Sequence, residues 1–160
     1  MKSYTADTLK AKSGSKYVLT PVYRCSLVRE GSLKADPAVT GSHRARSVAL
    51  AMLKDSPNER VLVILLNTEN KVIGVSEVTF GTLDASLVHP REFFRPAILA
   101  NAASVILAHN HPSGDTTPSR EDHAVYRRLR GAGELLGIEV LDSVITGDDD
   151  AISIVESGVQ

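Results

Sequence analysis

Cysteine is nearly absent from this sequence, which has only Cys25 among its 160 residues. A single cysteine excludes an intrachain disulfide and any zinc site built from several thiolates. It lies in the alternating run VYRCSLV, residues 22–28, so we expect a half-buried thiol. No apolar run approaches the roughly 20 residues that a membrane-spanning helix needs, and we expect no membrane partner.

The sequence also lacks a charge excess and an apolar leader. Its formal net charge is −1, from 18 Lys and Arg against 19 Asp and Glu, which gives no broad basic surface for nucleic acid. The first residues, MKSYTADTLKAKSGSK, contain no apolar segment of a signal peptide, so we expect a cytoplasmic location. Hydrophobic residues at 42% and charged residues at 23% are typical of one compact globular domain.

Strand and helix patterns alternate along the chain behind a polar N-terminal segment. We expect residues 1–15 to form a flexible arm and residues 16–160 to form the domain. The patterns predict extended chain over residues 16–28, a helix over 43–56, a hairpin over 58–82 and a helix over 90–103 that restarts at Pro96. They then predict a strand over 104–111, a helix over 119–137 and two strands over 138–147 and 151–155. This order predicts an α/β fold in which helices sandwich a mixed sheet.

The stretch HNHPSGDTTPSRED, residues 109–122, combines two histidines, a tight turn and a carboxylate. Side chains alternate along a strand, so His109 and His111 share one face at its carboxyl end, where open α/β sheets bind ligands. Asp122 lies in the first turn of the following helix, so its carboxylate can lie over the two imidazoles. Three such ligands with a fourth position left to water are the pattern of catalytic zinc.

Ser119 and Asp122 also fit a simpler interpretation. Ser-x-x-Asp resembles a capping box with Asp in place of Glu or Gln, and the pair alone favours a helix cap by odds of roughly three to one. From spacing alone, a metal site and a turn followed by a helix cap are therefore both open interpretations of residues 109–122.

The same stretch resembles the RadC-type branch of the JAMM (MPN+, JAB) metalloprotease family. The spacing His-x-His, seven residues, Ser, two residues, Asp is that family's motif. The similarity extends from about Tyr17 to the end of the chain and includes VHPREFFRPAILANAAS, ERVLVILLNTENKVIG and LLGIEVLDSVITG. It implies a JAB/MPN-type, cytidine-deaminase-like fold with a mixed β-sheet sandwiched by helices.

By this resemblance His109, His111 and Asp122 hold Zn²⁺, with water in the open position. Glu59, which precedes RVLVILL, matches the family's upstream acid and would act as general base, then as acid towards a leaving amine. Ser119 would donate to the oxyanion, a role that competes with N-capping for its one hydroxyl proton.

Two other glutamates are alternatives for the general base. Glu77 and Glu92 could in principle reach the same site. We favour Glu59 because it precedes a central strand, whereas Glu77 lies within the predicted return strand and Glu92 in a surface turn.

The sequence departs from the RadC pattern in two places. RadC-type proteins usually carry a helix-hairpin-helix region ahead of this domain, and we expect a short form without it. After LLGIEVLD the family commonly has His, whereas this chain has Ser143. A function of the family histidine therefore cannot be carried over to this chain.

The favoured function is a zinc metallopeptidase that cleaves a peptide or isopeptide bond in an unidentified substrate. The alternative is a DNA-repair-associated, nucleic-acid-binding protein without peptidase activity. The balanced charge disfavours that alternative, since the only compact basic run, residues 127–130, spreads around a helix.

Three further functions fit the sequence poorly, and its oligomeric state is left open. An HNH nuclease disperses its motif residues, so the contiguous letters are misleading. A nucleobase deaminase requires H-x-E and P-C-x-x-C, which are absent. A metal-free binding module would give no reason for three ligands at this spacing.

Overall fold

The computed structural model of the chain describes residues 23–32, 41–78 and 88–158. The predicted arm, residues 1–15, lies outside the described residues. Residues 23–32 form neither helix nor strand, and their side chains are exposed. The expectation of a half-buried Cys25 is therefore wrong: its thiol is exposed because no strand forms there to bury alternate side chains.

Three helices and five strands make up the described part of the chain. They are α1 Gly41–Leu53, β1 Val61–Leu66, β2 Val72–Glu77, α2 Pro90–Leu99, β3 Ser104–Asn110, α3 Arg120–Leu136, β4 Glu139–Thr146 and β5 Ala151–Ser153. The strands form one sheet in the order β2-β1-β3-β4-β5. Strands β3 and β4 are parallel, and the other neighbouring pairs are antiparallel. The predicted α/β fold with a mixed sheet is confirmed.

The two central strands, β1 and β3, are buried along their whole length. Their nearly continuous apolar sequences, VLVILL and SVILA, suit strands that are covered on both faces. The hairpin from β1 to β2 turns at Asn67, whose side-chain oxygen accepts hydrogen bonds from the backbone of Glu69 and Lys71. The predicted hairpin is confirmed as far as residue 78.

Helices cover both faces of the sheet and create two apolar cores. Helix α1 packs on one face, against a cluster that includes Leu62, Ile64 and Ile106. Helices α2 and α3 pack on the other, against a cluster that includes Val63 and Leu107. Neighbouring residues of β1 thus enter opposite cores, as alternation along a strand requires.

Helix α2 passes through Pro96 without interruption, so the predicted restart at this proline is wrong. Pro96 has no N–H to donate to the carbonyl one turn earlier, which normally weakens a helix. Here the neighbours Phe93, Phe94 and Ala97 are buried with Pro96 against the sheet, and the two rings meet edge to face at 5.1 Å. This packing stabilises the helix on both sides of the proline.

The buried face of α3 differs from the predicted one. The apolar pattern of residues 119–137 predicts that Val125, Leu129, Ala132 and Leu136 face the core. Val125 and Leu129 are buried as expected, but Leu136 is 48% exposed, and Tyr126 and Gly133 are buried instead. Gly133 permits this orientation, because a Cβ at that position would lie 2.4 Å from the carbonyl oxygen of Ile138. The Gly133 side of α3 therefore packs closely against the backbone at Ile138, just after the helix ends.

Two glycines of α3 provide a matched test of this close approach. Gly133→Ala should lower the free energy of unfolding by about 1–3 kcal/mol, because the added methyl group meets backbone. Gly131→Ala should raise it by up to about 1 kcal/mol, because that position is exposed and has no atom within 4 Å of a built Cβ. Urea unfolding of both variants measures the difference. A stable Gly133→Ala variant would contradict the packing described.

Candidate metal centre

Three elements meet at the carboxyl end of β3. His109 is the penultimate residue of β3, faces the α2–α3 side with Leu107, and is only 4% exposed. The antiparallel register pairs it with Val61, the first residue of β1. Helix α3 begins at Arg120 after a loop, so its first turn returns above the end of the strand. A strand end, a loop and a helix start thus enclose one small volume.

His109, His111 and Asp122 converge in this volume into a group that can hold a metal ion. The two histidine Nε2 atoms lie 3.1 Å apart. The carboxylate oxygens of Asp122 lie 3.0 Å from Nε2 of His109 and 3.5 Å from Nε2 of His111. Tetrahedral coordination at metal–ligand distances of about 2.0–2.1 Å separates ligand atoms by about 3.3 Å. The separations of His109 Nε2 from His111 Nε2 and from Oδ1 of Asp122 are close to this value, and one ligand atom from each of the three residues lies within 4.8 Å of the others.

His111 is fixed on its far side by backbone. Its Nδ1 lies 2.6 Å from the carbonyl oxygen of Asp115, and its backbone N–H donates to the carbonyl of Thr146. Since a carbonyl oxygen only accepts hydrogen bonds, Nδ1 carries the proton. With Nδ1 as the donor, the neutral tautomer of this ring places an unprotonated Nε2 towards His109 and Asp122, which is the tautomer that a metal ligand needs.

The loop that carries these contacts depends on a close backbone approach. A Cβ on Gly147 would lie 2.4 Å from the carbonyl oxygen of Gly114 and 3.0 Å from the methyl group of Thr116. The turn after β4 therefore packs directly on the loop between His111 and Ser119.

Ser119 and Asp122 form the capping box that their spacing predicts. The Ser119 hydroxyl accepts from the backbone of Asp122, and Oδ2 of Asp122 accepts from the backbone of Ser119. The hydroxyl proton also points at Oδ2 of Asp122, at 2.7 Å. Cap and ligand are therefore compatible, because the cap orients the carboxylate towards the histidines.

The environment of Asp122 favours its charged form. Burial on its own would raise the pKa of this carboxyl. Hydrogen bonds from His109 and Ser119 outweigh burial and hold the pKa of Asp122 well below its usual range. The group is therefore an anion at neutral pH, as a metal ligand must be.

A cleft of about 230 Å³ opens beside the three ligands. Glu59 lies on its wall with Ser119, just before Val61 at the start of β1. The remaining wall is one acid that the sequence did not indicate, Glu121, and four aliphatic side chains, Val61, Val88, Leu107 and Val125.

Glu77 and Glu92 lie elsewhere, at a second cleft between β2 and α2. Both carboxylate oxygens of Glu77 accept from Arg60, which holds the pKa of Glu77 below its usual range. Glu92 forms ion pairs with Arg91 and Arg95. Of the three glutamates considered from the sequence, Glu59 alone lines the cleft beside the histidines.

Ser143, the position at which the sequence departs from the RadC pattern, lies beside Leu107 in the parallel pair β3–β4. It is fully buried, and its hydroxyl has no hydrogen-bond partner in the described part of the chain. The cleft lining does not include it.

Comparison with known proteins identifies the family of this arrangement. The family model described as the RadC-like JAB domain matches residues 39–159, which contain all three ligands and Glu59. The chain belongs to the RadC-like JAB domain family. Its five-stranded mixed sheet between helices is consistent with a JAB/MPN-type fold.

The curated relatives of this JAB domain are longer proteins. A UPF0758 protein of Trichlorobacter lovleyi is 52% identical over 107 residues, which are 67% of this chain and 46% of the relative. A UPF0758 protein of Clostridium kluyveri is 47% identical over 124 residues, which are 78% and 54% of the two chains. The chain thus spans about half the length of the curated relatives it matches. In its described residues, no helix is long and apolar enough to cross a membrane.

Metal analysis tests the ligand group directly. Wild-type protein supplied with Zn²⁺ should retain about one ion per chain, because three ligands suffice for a site with an open position. The double variant His109→Ala, His111→Ala should retain none while staying folded. His43→Ala removes an exposed histidine on α1 and should bind as wild type does. Elemental analysis after dialysis measures the zinc content of wild type and of both variants. If folded wild type takes up no metal, residues 109–122 are only a turn and a helix cap.

Proposed function

We propose that this chain is a zinc-dependent metallohydrolase that cleaves a peptide or isopeptide bond. The observation that carries the proposal is the placement of Glu59, one of two non-ligand glutamates on the wall, in the same cleft as His109, His111 and Asp122. A metal ligand group beside an acid that is not itself a ligand is the arrangement that hydrolysis by activated water requires.

The donor set supports zinc as the metal. Two imidazole nitrogens and one carboxylate oxygen are ligands that zinc accepts, and these atoms lie within 4.8 Å of one another. When bound, zinc supplies a Lewis acid for the substrate carbonyl and lowers the pKa of water at its open position.

Glu59 is the proton carrier in this proposal. Its carboxylate takes a proton from the attacking water as the water oxygen adds to the carbonyl carbon of the substrate. The same proton then passes to the amine nitrogen as the carbon–nitrogen bond breaks, which gives a carboxylic acid and an amine. Loss of the second water proton from the acid to the amine leaves a carboxylate and an ammonium group. Glu59 is exposed on the cleft wall, which leaves its carboxylate accessible to both water and substrate.

Ser119 would assist as a hydrogen-bond donor to the oxyanion. Its proton is directed at Asp122 in the structure, so this role requires the hydroxyl to rotate about its C–O bond. The backbone N–H of Ser119 also donates to Asp122, which would keep the carboxylate oriented after such a rotation.

The size and lining of the cleft favour a segment of polypeptide chain. A volume of about 230 Å³ is below the range of roughly 300–1,000 Å³ that is usual for whole small molecules. The aliphatic wall contains Val61, Val88, Leu107 and Val125 and suits an apolar side chain next to the scissile bond. The remainder of such a substrate would lie outside the cleft.

The Glu59 carboxylate can be removed without removing the metal site. In a zinc-loaded Glu59→Gln variant, kcat for quenched peptides and ε-lysine isopeptides should fall by about 10²–10⁴-fold, because the amide cannot carry the proton. Zinc content should stay at the wild-type level. Glu92→Gln is the matched control and should keep wild-type kcat, since Glu92 pairs with arginines outside the cleft. Full activity in Glu59→Gln, or its loss in Glu92→Gln, would contradict the assignment.

A further inference from the structure

Asn110 lies between the two histidine ligands in sequence but on the opposite side of the sheet from His109. Alternation along β3 turns its side chain towards the α1 side, away from the cleft. It is 4% exposed, so its amide must find its hydrogen-bond partners within the protein.

All partners of this amide lie in the segment that joins α1 to β1. Its Oδ1 accepts from the backbone N–H of Arg60 at 2.8 Å. Its Nδ2 donates to the carbonyl oxygens of Asn58 at 3.1 Å and Ser56 at 3.4 Å. The side chain of Asn110 therefore bonds to backbone on both sides of Glu59.

The segment that carries Glu59 has no regular secondary structure, since α1 ends at Leu53 and β1 starts at Val61. Its position depends on side-chain contacts. Besides Asn110, the guanidinium of Arg60 contributes by donating to the Met52 carbonyl and to the Ser56 hydroxyl. Asn110 differs from Arg60 in one respect, because it belongs to β3, which also carries the ligand His109 and leads directly into His111.

We propose that Asn110 is a positioning residue that fixes Glu59 relative to His109 and His111. This inference rests on the proposed function, in which Glu59 carries the proton. Strand β3 carries His109 and is followed directly by His111, and the Asn110 amide bonds the backbone around Glu59 to the end of that same strand. Displacement of a reacting group by about 1 Å can lower a rate by about 10²-fold, so such a tie has a measurable effect on catalysis.

An amide suits this position better than other side chains. It offers an acceptor to the Arg60 N–H and donors to two carbonyl oxygens at once. Aspartate would present oxygen to the carbonyls of Asn58 and Ser56, and alanine would leave the buried amide partners unsatisfied.

The kinetic test compares Asn110→Ala with Asn67→Ala in the zinc-loaded protein. Asn67 is a matched control, because its side chain also bonds to two backbone groups, in the hairpin turn away from the cleft. We expect Asn110→Ala to lower kcat for the isopeptide and peptide probes by about 10–100-fold, with KM and zinc content unchanged. Asn67→Ala should keep wild-type kcat even where it lowers the unfolding midpoint. Full kcat in Asn110→Ala, equal losses in both variants, or a loss explained by missing zinc would each overturn the proposal.

A double-mutant cycle separates positioning of Glu59 from a general structural effect. If Asn110 acts through Glu59, then Asn110→Ala should cause no further loss of kcat in a Glu59→Gln background. An undiminished further loss would show that Asn110 acts on something else, and would overturn the inference while leaving the role of Glu59 intact.

Hydrogen exchange tests the hydrogen bond from the Arg60 amide to Asn110 without any substrate. The amide proton of Arg60 should exchange at least 10-fold faster in Asn110→Ala than in wild type, because it loses its acceptor. Amides in the middle of β1 should change no more than they do in Asn67→Ala. If wild type hydrolyses none of the probes, the proposed function fails, but the exchange measurement still tests whether Asn110 holds the segment around Glu59. Unchanged exchange of the Arg60 amide would show that it does not, and would overturn the inference.

Discussion

The hydrogen-bond register between β1 and β3 sets where Glu59 and Val61 lie relative to His109. Pairing Val61 with His109 brings the start of one central strand to the end of the other. A shift of one residue would turn Val61 towards the opposite face and would displace the segment before it, because side chains alternate along a strand. The register is itself specified by burial, since both strands are enclosed by apolar cores on both faces. Stability of the sheet and geometry of the site therefore have the same origin.

Asp122 joins the helix to the strand through one carboxylate. One of its oxygens completes the N-terminal cap of α3, and the other lies 3.0 Å from Nε2 of His109. Helix N-termini favour negative charge, so the position suits an ionised ligand before any metal is considered. The helix cap and the ligand group, which are competing interpretations of Ser119-x-x-Asp122 in the sequence, are thus compatible in the structure.

The parts of the molecule that local patterns describe could be predicted from the sequence. The mixed α/β sheet, the capping box and the hairpin follow from periodicity and spacing, and two-residue alternation places both histidines at one strand end. The hydrogen bonds from the Asn110 amide to Ser56 and Asn58 could not be predicted, because they join residues far apart in the sequence. Tertiary packing also decides the continuity of α2 at Pro96 and the exposure of Leu136. The roles of Glu59 and Ser119 stay predictions, since geometry places them at the cleft without showing a reaction.

Two of the aliphatic wall residues, Val61 and Val88, come from outside the segment that carries the ligands. All three ligands lie within the short run from β3 to the first turn of α3, whereas Val61 belongs to β1 and Val88 precedes α2. Val88 is held by its own contact, a hydrogen bond from Arg128 to its carbonyl oxygen. Both side chains are buried and also belong to the apolar core between the sheet and helices α2 and α3. A change of side-chain size at either position would therefore alter the shape of the cleft and the packing of that core together.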